Sequence, residues 1–447
     1  LLCAASALNQ FVPLRIDHHG WQLALLLWVV AGLSDPRPVR GGVTVGLATA
    51  LSLTIGLEML PYLALAAAAT ALRWVVWPEA GRRLLGYGAA LGAGTAVGFV
   101  AFASIANRAP VCDALSPVWL SVAAAGGGGL VALGWLSPAN LWWRLAGAAI
   151  VGAAVAALYA LAWPHCLSRL EGVSPEVAKL WLNNVREARP VYTHGWKMAV
   201  PMLALPLAGL AGAGWRAWET RGTAAFPAWC SVLAMSLAAT GLLLWQTRAG
   251  PAAGVLAGPG AVALCWLLMP RIVRRFHPVV GGLAALGAFL AFSGLGAGVV
   301  SATIPGDPPS PARKRVAAAN RRCPTLPALA PIARLPASTI LTFVDLGPRL
   351  LAVTRHRAIA GPYHRNGDAI LDIHHAFRGS EAVAHDVVRR HAAGLVLICP
   401  DMSESTLYAT GAPRGFYAQL RDGRVPRWLR PVPLPKHSPY RLWRVVG

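Results

Sequence analysis

Residues 15–22 read Arg-Ile-Asp-His-His-Gly-Trp-Gln and stand directly ahead of an apolar run. Asp17 and His19, two positions apart, can offer one oxygen and one nitrogen to a divalent cation, and Asp17 can instead serve as a base. A structural role suits the same residues, with Asp17 as a helix N-cap and Trp21 in the interfacial aromatic belt. A second acid, Glu58, lies in the apolar stretch Leu53–Pro61. A carboxylate there is costly and needs a partner, a task, or a turn that reaches water. Arg248, in Gln246-Thr247-Arg248, is the sole charge between two apolar runs. Its guanidinium can grip a phosphate bidentately, or snorkel at the bilayer surface. Further on, Gly361-Pro362-Tyr363-His364-Arg365-Asn366 is followed by Asp372, His374 and His375. This dense polar run makes His364 and Arg365 candidates for contacting a sugar or phosphate, and equally suits a rigid turn. The sequence has no hydrolase triad order, no zinc-ligand spacing and no Gly-rich phosphate loop.

The elements that must position these groups are membrane helices. Of the 447 residues, 56% are hydrophobic and 13% charged. A soluble domain so apolar would expose large sticky patches, whereas apolar runs near 20 residues account for the composition. Such runs fall at 20–34, 43–58, 61–77, 85–106, 118–136, 144–163, 196–214, 224–246, 252–269 and 278–300. The fold class expected is a polytopic α-helical membrane protein with about ten transmembrane helices and a small C-terminal α/β extracytoplasmic domain. The domains expected are 1–302, in the membrane, a Pro/Arg-rich linker over 303–337, and the α/β domain over 338–447. Ala and Gly abound in the runs, as close helix packing in lipid requires. Arg37, Arg40, Arg82, Arg83, Arg144, Arg216, Arg221, Arg271, Arg274 and Arg275 fall in one set of connections; the short connections of the other set hold only Arg108 and Arg248. The positive-inside bias assigns the first set to the cytoplasm, which leaves Asp17, Glu58, Arg248 and the C-terminal domain outside. The chain opens on Leu1 within an apolar stretch and without a recognisable signal peptide, so it is read as a fragment that continues upstream. The net charge of +22 calls for an anionic partner. Its placement between apolar runs and in the C-terminal domain favours anionic lipid or a phosphate-bearing substrate over nucleic acid.

Residues 303–337 are expected to have little regular structure. Beyond them, 338–347, 351–360, 394–400 and 440–446 read as strands, and 367–377, 380–392 and 414–422 as helices. That alternation suggests an α/β layer structure. Between two apolar runs, residues 174–189 can form an amphipathic helix with Val177, Leu180, Trp181 and Val185 on one face, expected to lie on the membrane surface. Cys112 and Cys166 fall in outer connections, and Cys323 and Cys399 in the outer domain. In an oxidising compartment they can pair as Cys112–Cys166 and Cys323–Cys399, or remain free.

Several of these pieces together resemble the membrane glycosyltransferases of the GT-C superfamily, above all bacterial oligosaccharyltransferase catalytic-subunit-like proteins. They are Asp17-His18-His19 before a run, Gly56-Leu57-Glu58 with Leu60-Pro61, Arg248 after a later run, and Asp345-Leu346-Gly347-Pro348 with Pro362-Tyr363-His364-Arg365-Asn366. The resemblance implies transfer of a sugar from a polyprenyl-phosphate-linked donor to an acceptor on the extracytoplasmic face of a bacterial inner membrane. It further implies a divalent metal, Mg or Mn, on Asp17 and His19, with Asp17 and Glu58 as catalytic carboxylates. Arg248, His364 and Arg365 would then contact the substrate. Gln22 departs from the archaeal-type pattern, which has Glu there, and the family's first acidic motif lies in an outer loop upstream of residue 1. Two other readings compete: a transporter or flippase of lipid-linked or small anionic substrates, which predicts an inverted repeat that the sequence does not display, and a non-catalytic envelope assembly protein, in which Asp17, His19, Glu58 and Arg248 do not converge.

Overall fold

The computed structural model describes residues 3–12, 17–167, 172–305 and 308–446, so Arg15 and Ile16 of the polar motif lie outside the described residues. The chain forms two compact units, one of residues 1–170 and 186–305, the other of 171–185 and 306–447.

The first unit is helical. A single turn, Ala5–Leu8, precedes α1 (His19–Ser34), α2 (Pro38–Ile55), α3 (Leu60–Val76), α4 (Gly81–Phe102), α5 (Pro117–Leu136) and α6 (Leu141–Ala162). Then come α7 (Trp196–Glu219), α8 (Phe226–Leu242), α9 (Gly250–Arg275), α10 (Pro278–Phe292) and α11 (Leu295–Thr303). Among the described residues six segments are long and apolar enough to cross a membrane: Pro38–Ile55, Pro78–Phe102, Pro117–Leu136, Leu141–Ala162, Trp196–Glu219 and Thr247–Arg275. The pair α10 and α11, bent by 84°, makes a seventh if it is one broken span. The apolar helices α1, α3 and α8 are shorter, at 16, 17 and 17 residues. The expected runs are therefore helical, while six or seven reach crossing length. Glycine allows the tightest crossings. A Cβ on Gly212 of α7 would strike the backbone of Gly260 in α9, and one on Gly88 of α4 would strike that of Gly127 in α5.

Alternating helix direction sorts the polar groups to two ends. At one end arginines hold the last-turn carbonyls that every helix leaves unpaired. Arg83 is 1% exposed; its Nη1 donates to the Gly32 carbonyl at 2.5 Å and its Nη2 to that of Asp35. Arg73 donates to the Leu33 carbonyl at 3.1 Å. Buried Arg144 donates to the carbonyls of Val75 (2.9 Å), Pro138 (2.8 Å) and Ala139 (2.6 Å). Arg83 and Arg144, read from sequence as loop charges, are thus buried helix caps, because an unpaired carbonyl away from water is costly. At the opposite end the Cys112–Cys166 disulfide joins the α4–α5 connection to the segment after α6, with a Cα separation of 5.5 Å.

The second unit is α/β. Its elements are α12 (Pro311–Arg322), α13 (Leu326–Ala333), β1 (Thr339–Leu341), α14 (Gly347–Val353), β2 (Arg357–Ala358), α15 (Gly367–Arg378), α16 (Glu381–Arg390), β3 (Ala393–Ile398), α17 (Ser403–Gly411), α18 (Phe416–Arg421), β4 (Leu429–Pro431) and β5 (Arg441–Val445). The sheet order is β2-β1-β3-β5-β4. The pairs β2–β1 and β1–β3 are parallel, and β3–β5 and β5–β4 antiparallel. The second expected disulfide, Cys323–Cys399, is formed, with its Cα atoms 6.4 Å apart.

Three expectations need correction here. Residues 311–333 form two helices rather than irregular chain: Ser310 caps α12 by accepting the Arg313 amide at 3.2 Å, Pro311 sits in its first turn, and Ala, Arg and Lys carry it on. The strand expected at 351–360 is mostly the end of α14, with only Arg357–Ala358 in the sheet. The 174–189 segment forms no surface helix. Only Pro175–Leu180 is α-helical, and Val177 is 1% exposed while Trp181 packs on the α/β core of this unit. Glu176 accepts a hydrogen bond from His375 at 2.8 Å. An apolar protein core covers this face in place of lipid.

The turn after β1, which carries Asp345-Leu346-Gly347, hangs from Glu404 at the head of α17. The buried Glu404 carboxylate accepts the amides of Val344 (2.8 Å) and Asp345 (2.7 Å) and the Tyr408 hydroxyl. Burial, reinforced by the charge of Asp345, pushes this carboxyl up to about 7 from its ordinary 4.5. The folded unit therefore holds that proton more tightly than the unfolded chain. Its contribution to stability is complete below pH 4.5 and is lost as pH rises through 7. Glu404→Gln should flatten the decline in melting temperature between pH 5 and pH 8, measured on the full chain in detergent. Arg83→Ala should destabilise the membrane unit by about 3 kcal/mol, since two carbonyls lose a charged donor. The exposed Arg82→Ala should shift stability by less than about 0.5 kcal/mol; thermal unfolding of the two variants checks this.

Candidate active site

The site is built where α1 begins and where α2 turns into α3. Asp17 accepts the His19 amide at 3.1 Å, turning the chain into α1, and its carboxylate lies 3.5 Å from His19 Nδ1. The rings of His18 and His19 stack at 4.6 Å. His18 Nε2 meets Glu58 Oε1 at 2.6 Å, joining the head of α1 to the turn between α2 and α3. One turn into α1, fully buried Gln22 fastens the same pair of segments. Its Nε2 donates to the carbonyls of Ser52 (3.1 Å) and Gly56 (3.0 Å), and its Oε1 accepts the Ser52 hydroxyl. Gly56 leaves the Glu58 carboxylate its room, because a Cβ there would stand 2.7 Å from Glu58 Oε2.

The electrostatics follow from that contact. The bond to Glu58 raises His18 above its ordinary value against the opposing effect of burial. Burial works to raise Glu58, but the hydrogen bond and charge of His18 prevail and hold its carboxyl below the usual range. The contact thus favours the proton on His18 and the charge on Glu58, and a divalent cation must displace that proton before the ring can ligate it. The other oxygen, Glu58 Oε2, is buried with no hydrogen-bond partner among the described residues.

Arg248 reaches the site from the turn Thr247–Ala249 ahead of α9. Its Nη2 donates to Glu187 Oε1 at 2.7 Å. Backbone bonds stitch the two segments together, from the Thr247 amide to the Arg189 carbonyl (2.8 Å) and from the Val191 amide to the Leu243 carbonyl (2.9 Å). A cavity of about 520 Å³ is lined by His19, Glu58, Glu187 and Arg248, with Tyr62, Trp245, Gln246, Asn9 and Gln10 as further polar or aromatic neighbours and Met59, Met198 and Met202 as apolar wall. It joins a carboxylate and an imidazole to a guanidinium within one concavity, the arrangement a bound phosphate ester and an adjacent cation require.

His19, Glu58 and Arg248, singled out from the sequence, thus share one cavity. Asp17 is not among the residues that line it. Its carboxylate serves the entry turn of α1 and the orientation of His19, because a short acid two residues ahead of a helical amide bonds that amide first. Trp21 is 68% exposed on α1, as an interfacial belt residue would be. His18, which the sequence reading gave no role of its own, supplies the direct contact to Glu58, and Glu187 was not singled out from the sequence. His364 and Arg365 belong to the second unit, in the turn His364–Asn366 ahead of α15, where the His364 ring lies 5.0 Å from that of Tyr363. His18, His19 and Glu58 each present one ligand atom within 4.8 Å of the others. Two imidazole nitrogens and a carboxylate with an unpartnered buried oxygen fit a divalent cation.

This architecture matches solved structures. No protein-family profile matches the sequence, and no curated protein matches it. The archaeal oligosaccharyltransferase AglB from Archaeoglobus fulgidus, in complex with an inhibitory peptide and a dolichol-phosphate, superimposes with a TM-score of 0.61 at 14% identity. The match covers 91% of this chain and 55% of AglB. The chain has the oligosaccharyltransferase fold. The Archaeoglobus fulgidus oligosaccharyltransferase in complex with Zn and sulfate gives a TM-score of 0.52 at 15% identity, over 89% of this chain and 52% of that one. The same organism's enzyme tethered to an acceptor peptide containing the NVT sequon gives 0.53 at 13%, over 85% and 51%. The chain spans about half the length of these oligosaccharyltransferases.

Gln22→Glu should expose how the site is held. The variant keeps the size but replaces two donors with an acceptor facing the Ser52 and Gly56 carbonyls. A loss of about 2 kcal/mol is expected, with amide exchange over residues 52–58 at least tenfold faster. Exchange in that segment equal to the parent's would show that Gln22 does not hold the turn.

Proposed function

We propose that this chain is the membrane portion, with a following α/β domain, of a glycosyltransferase that uses a polyprenyl-phosphate-linked sugar on the extracytoplasmic face of a multi-pass membrane protein, with the α/β domain on that same side. The observation that carries the reading is the single cavity lined by His19, Glu58 and Arg248. The shared fold supports it, as do the neighbours holding a dolichol-phosphate with an inhibitory peptide and a tethered acceptor peptide, which suggest a peptide acceptor. Arg248 exchanges its partner Glu187 for the donor's phosphate and stabilises the charge that grows there as the bond from sugar C1 to phosphate oxygen breaks. The new bond forms between C1 and the acceptor atom, and the phosphate leaves with the electron pair. Glu58, through its unpartnered oxygen, takes either a cation or the acceptor's proton. His18, His19 and Glu58 would hold a divalent metal, with Asp17 orienting His19 from behind. Bound there, the metal supplies Lewis-acid neutralisation of phosphate charge. The two imidazoles suit Mn²⁺ or Zn²⁺ better than Mg²⁺. In this reading His364 and Arg365 remain candidate contacts of the sugar or acceptor. A bacterial inner membrane is the proposed location.

The test is transfer from a polyprenyl-phosphate sugar by the chain in detergent, with and without chelator. Glu58→Gln should lower kcat at least about a hundredfold. Arg248→Ala should cut kcat/KM by about two orders of magnitude, whereas Glu187→Gln should leave kcat/KM within a few-fold of the parent or raise it. Turnover unchanged in both Glu58→Gln and Arg248→Ala would end this reading.

A further inference from the structure

A second polar concavity lies wholly in the C-terminal unit. It is a groove of about 350 Å³ between the α12–α13 junction and residues 435–439, lined by Arg321, Arg322, Thr325, His437 and Ser438 over a floor of prolines. Its lining contains no acid. Arg321 makes no hydrogen bond or ion pair among the described residues, and Arg322 spends one nitrogen on the His437 carbonyl at 2.9 Å. Ser438 Oγ accepts the Tyr440 amide at 3.2 Å, which leaves its own hydrogen to donate. The groove is also preformed. Pro327, Pro331, Pro435 and Pro439 fix their own backbone. The walls are cross-tied by the Tyr440 hydroxyl on the Cys323 carbonyl and by the Arg322–His437 bond, and the Cys323–Cys399 disulfide anchors the first wall to the end of β3. Little ordering cost therefore opposes a guest. Arginines in the last turn of α12 also offset the helix dipole, but that accounts for their charge and not for an acid-free concavity with rigid walls.

We infer that this groove binds the phosphate of an organic phosphate ester: the adjacent guanidiniums grip the oxyanion, Ser438 and His437 add donors, and the proline faces cover the neighbouring carbons. The inference is independent of the membrane cavity. The test uses the full chain in detergent and phosphate-free buffer, in an Arg248→Ala background that removes the phosphate candidate of the membrane cavity. Glycerol 1-phosphate and dihexanoyl phosphatidate are titrated calorimetrically. Saturable binding is expected, weakened at least tenfold in Arg321→Ala, partly restored in Arg321→Lys, and unchanged in Arg315→Ala on the same helix. The Arg321 side chain bonds nothing among the described residues, so its replacement leaves the disulfide and both walls in place; an unchanged melting temperature verifies this. Preference for the phosphatidate supports a lipid headgroup as the source, and equal affinity supports a soluble phosphate ester. Absence of saturable binding for both probes, or equal affinity in Arg321→Ala, overturns the inference.

Discussion

The contact between His18 and Glu58, 2.6 Å long, ties together segments forty residues apart at the mouth of the membrane unit. A lone carboxylate in so apolar a setting would neutralise or be expelled. Held against the His18 ring and cradled over Gly56, its carboxyl is kept below the usual range with one oxygen open. Gln22 secures the arrangement from below by fixing the end of α2 against α1. The placement of His19, the room in the cavity and the approach of Arg248 all presuppose that this corner is held.

The rest of the membrane unit obeys the same rule, that polar groups survive in an apolar surround only where helix ends leave partners for them. At one end buried arginines close on carbonyls. At the other the loose ends of α1, α2, α3 and α9 meet around a cavity whose wall carries Arg248 paired with Glu187, and Glu58 held from outside the lining by His18. The structural arginines have backbone partners. Arg248 has a side-chain partner that a stronger anion can displace, and that difference separates a cap from a binding group.

Much of this was legible in the sequence. Long apolar runs force helices, Cys112 with Cys166 and Cys323 with Cys399 were natural pairs, and Glu58 and Arg248 announced themselves by being charged where charge is costly. The choice within Asp17-His18-His19 was not legible, since only the helix entry angle decides which of three consecutive candidates meets Glu58. Glu187 could not be found, because its partner is sixty-one residues away. The amphipathic pattern around Trp181 marks a covered face, but periodicity does not say whether lipid or protein covers it, and the expected membrane-surface helix is instead packed on protein. Residues 311–333 misled through their prolines, of which Pro311 and Pro327 sit in helix first turns where a missing amide costs nothing.

The central claim is that His18, His19 and Glu58 form one ligand set at the head of α1. Electron spin echo modulation on the Mn²⁺-loaded chain addresses it most directly. The account predicts nitrogen couplings from two imidazoles, one lost in His18→Ala, one in His19→Ala and both in the double variant. Nitrogen coupling that persists in the double variant, or none in the parent, would contradict it.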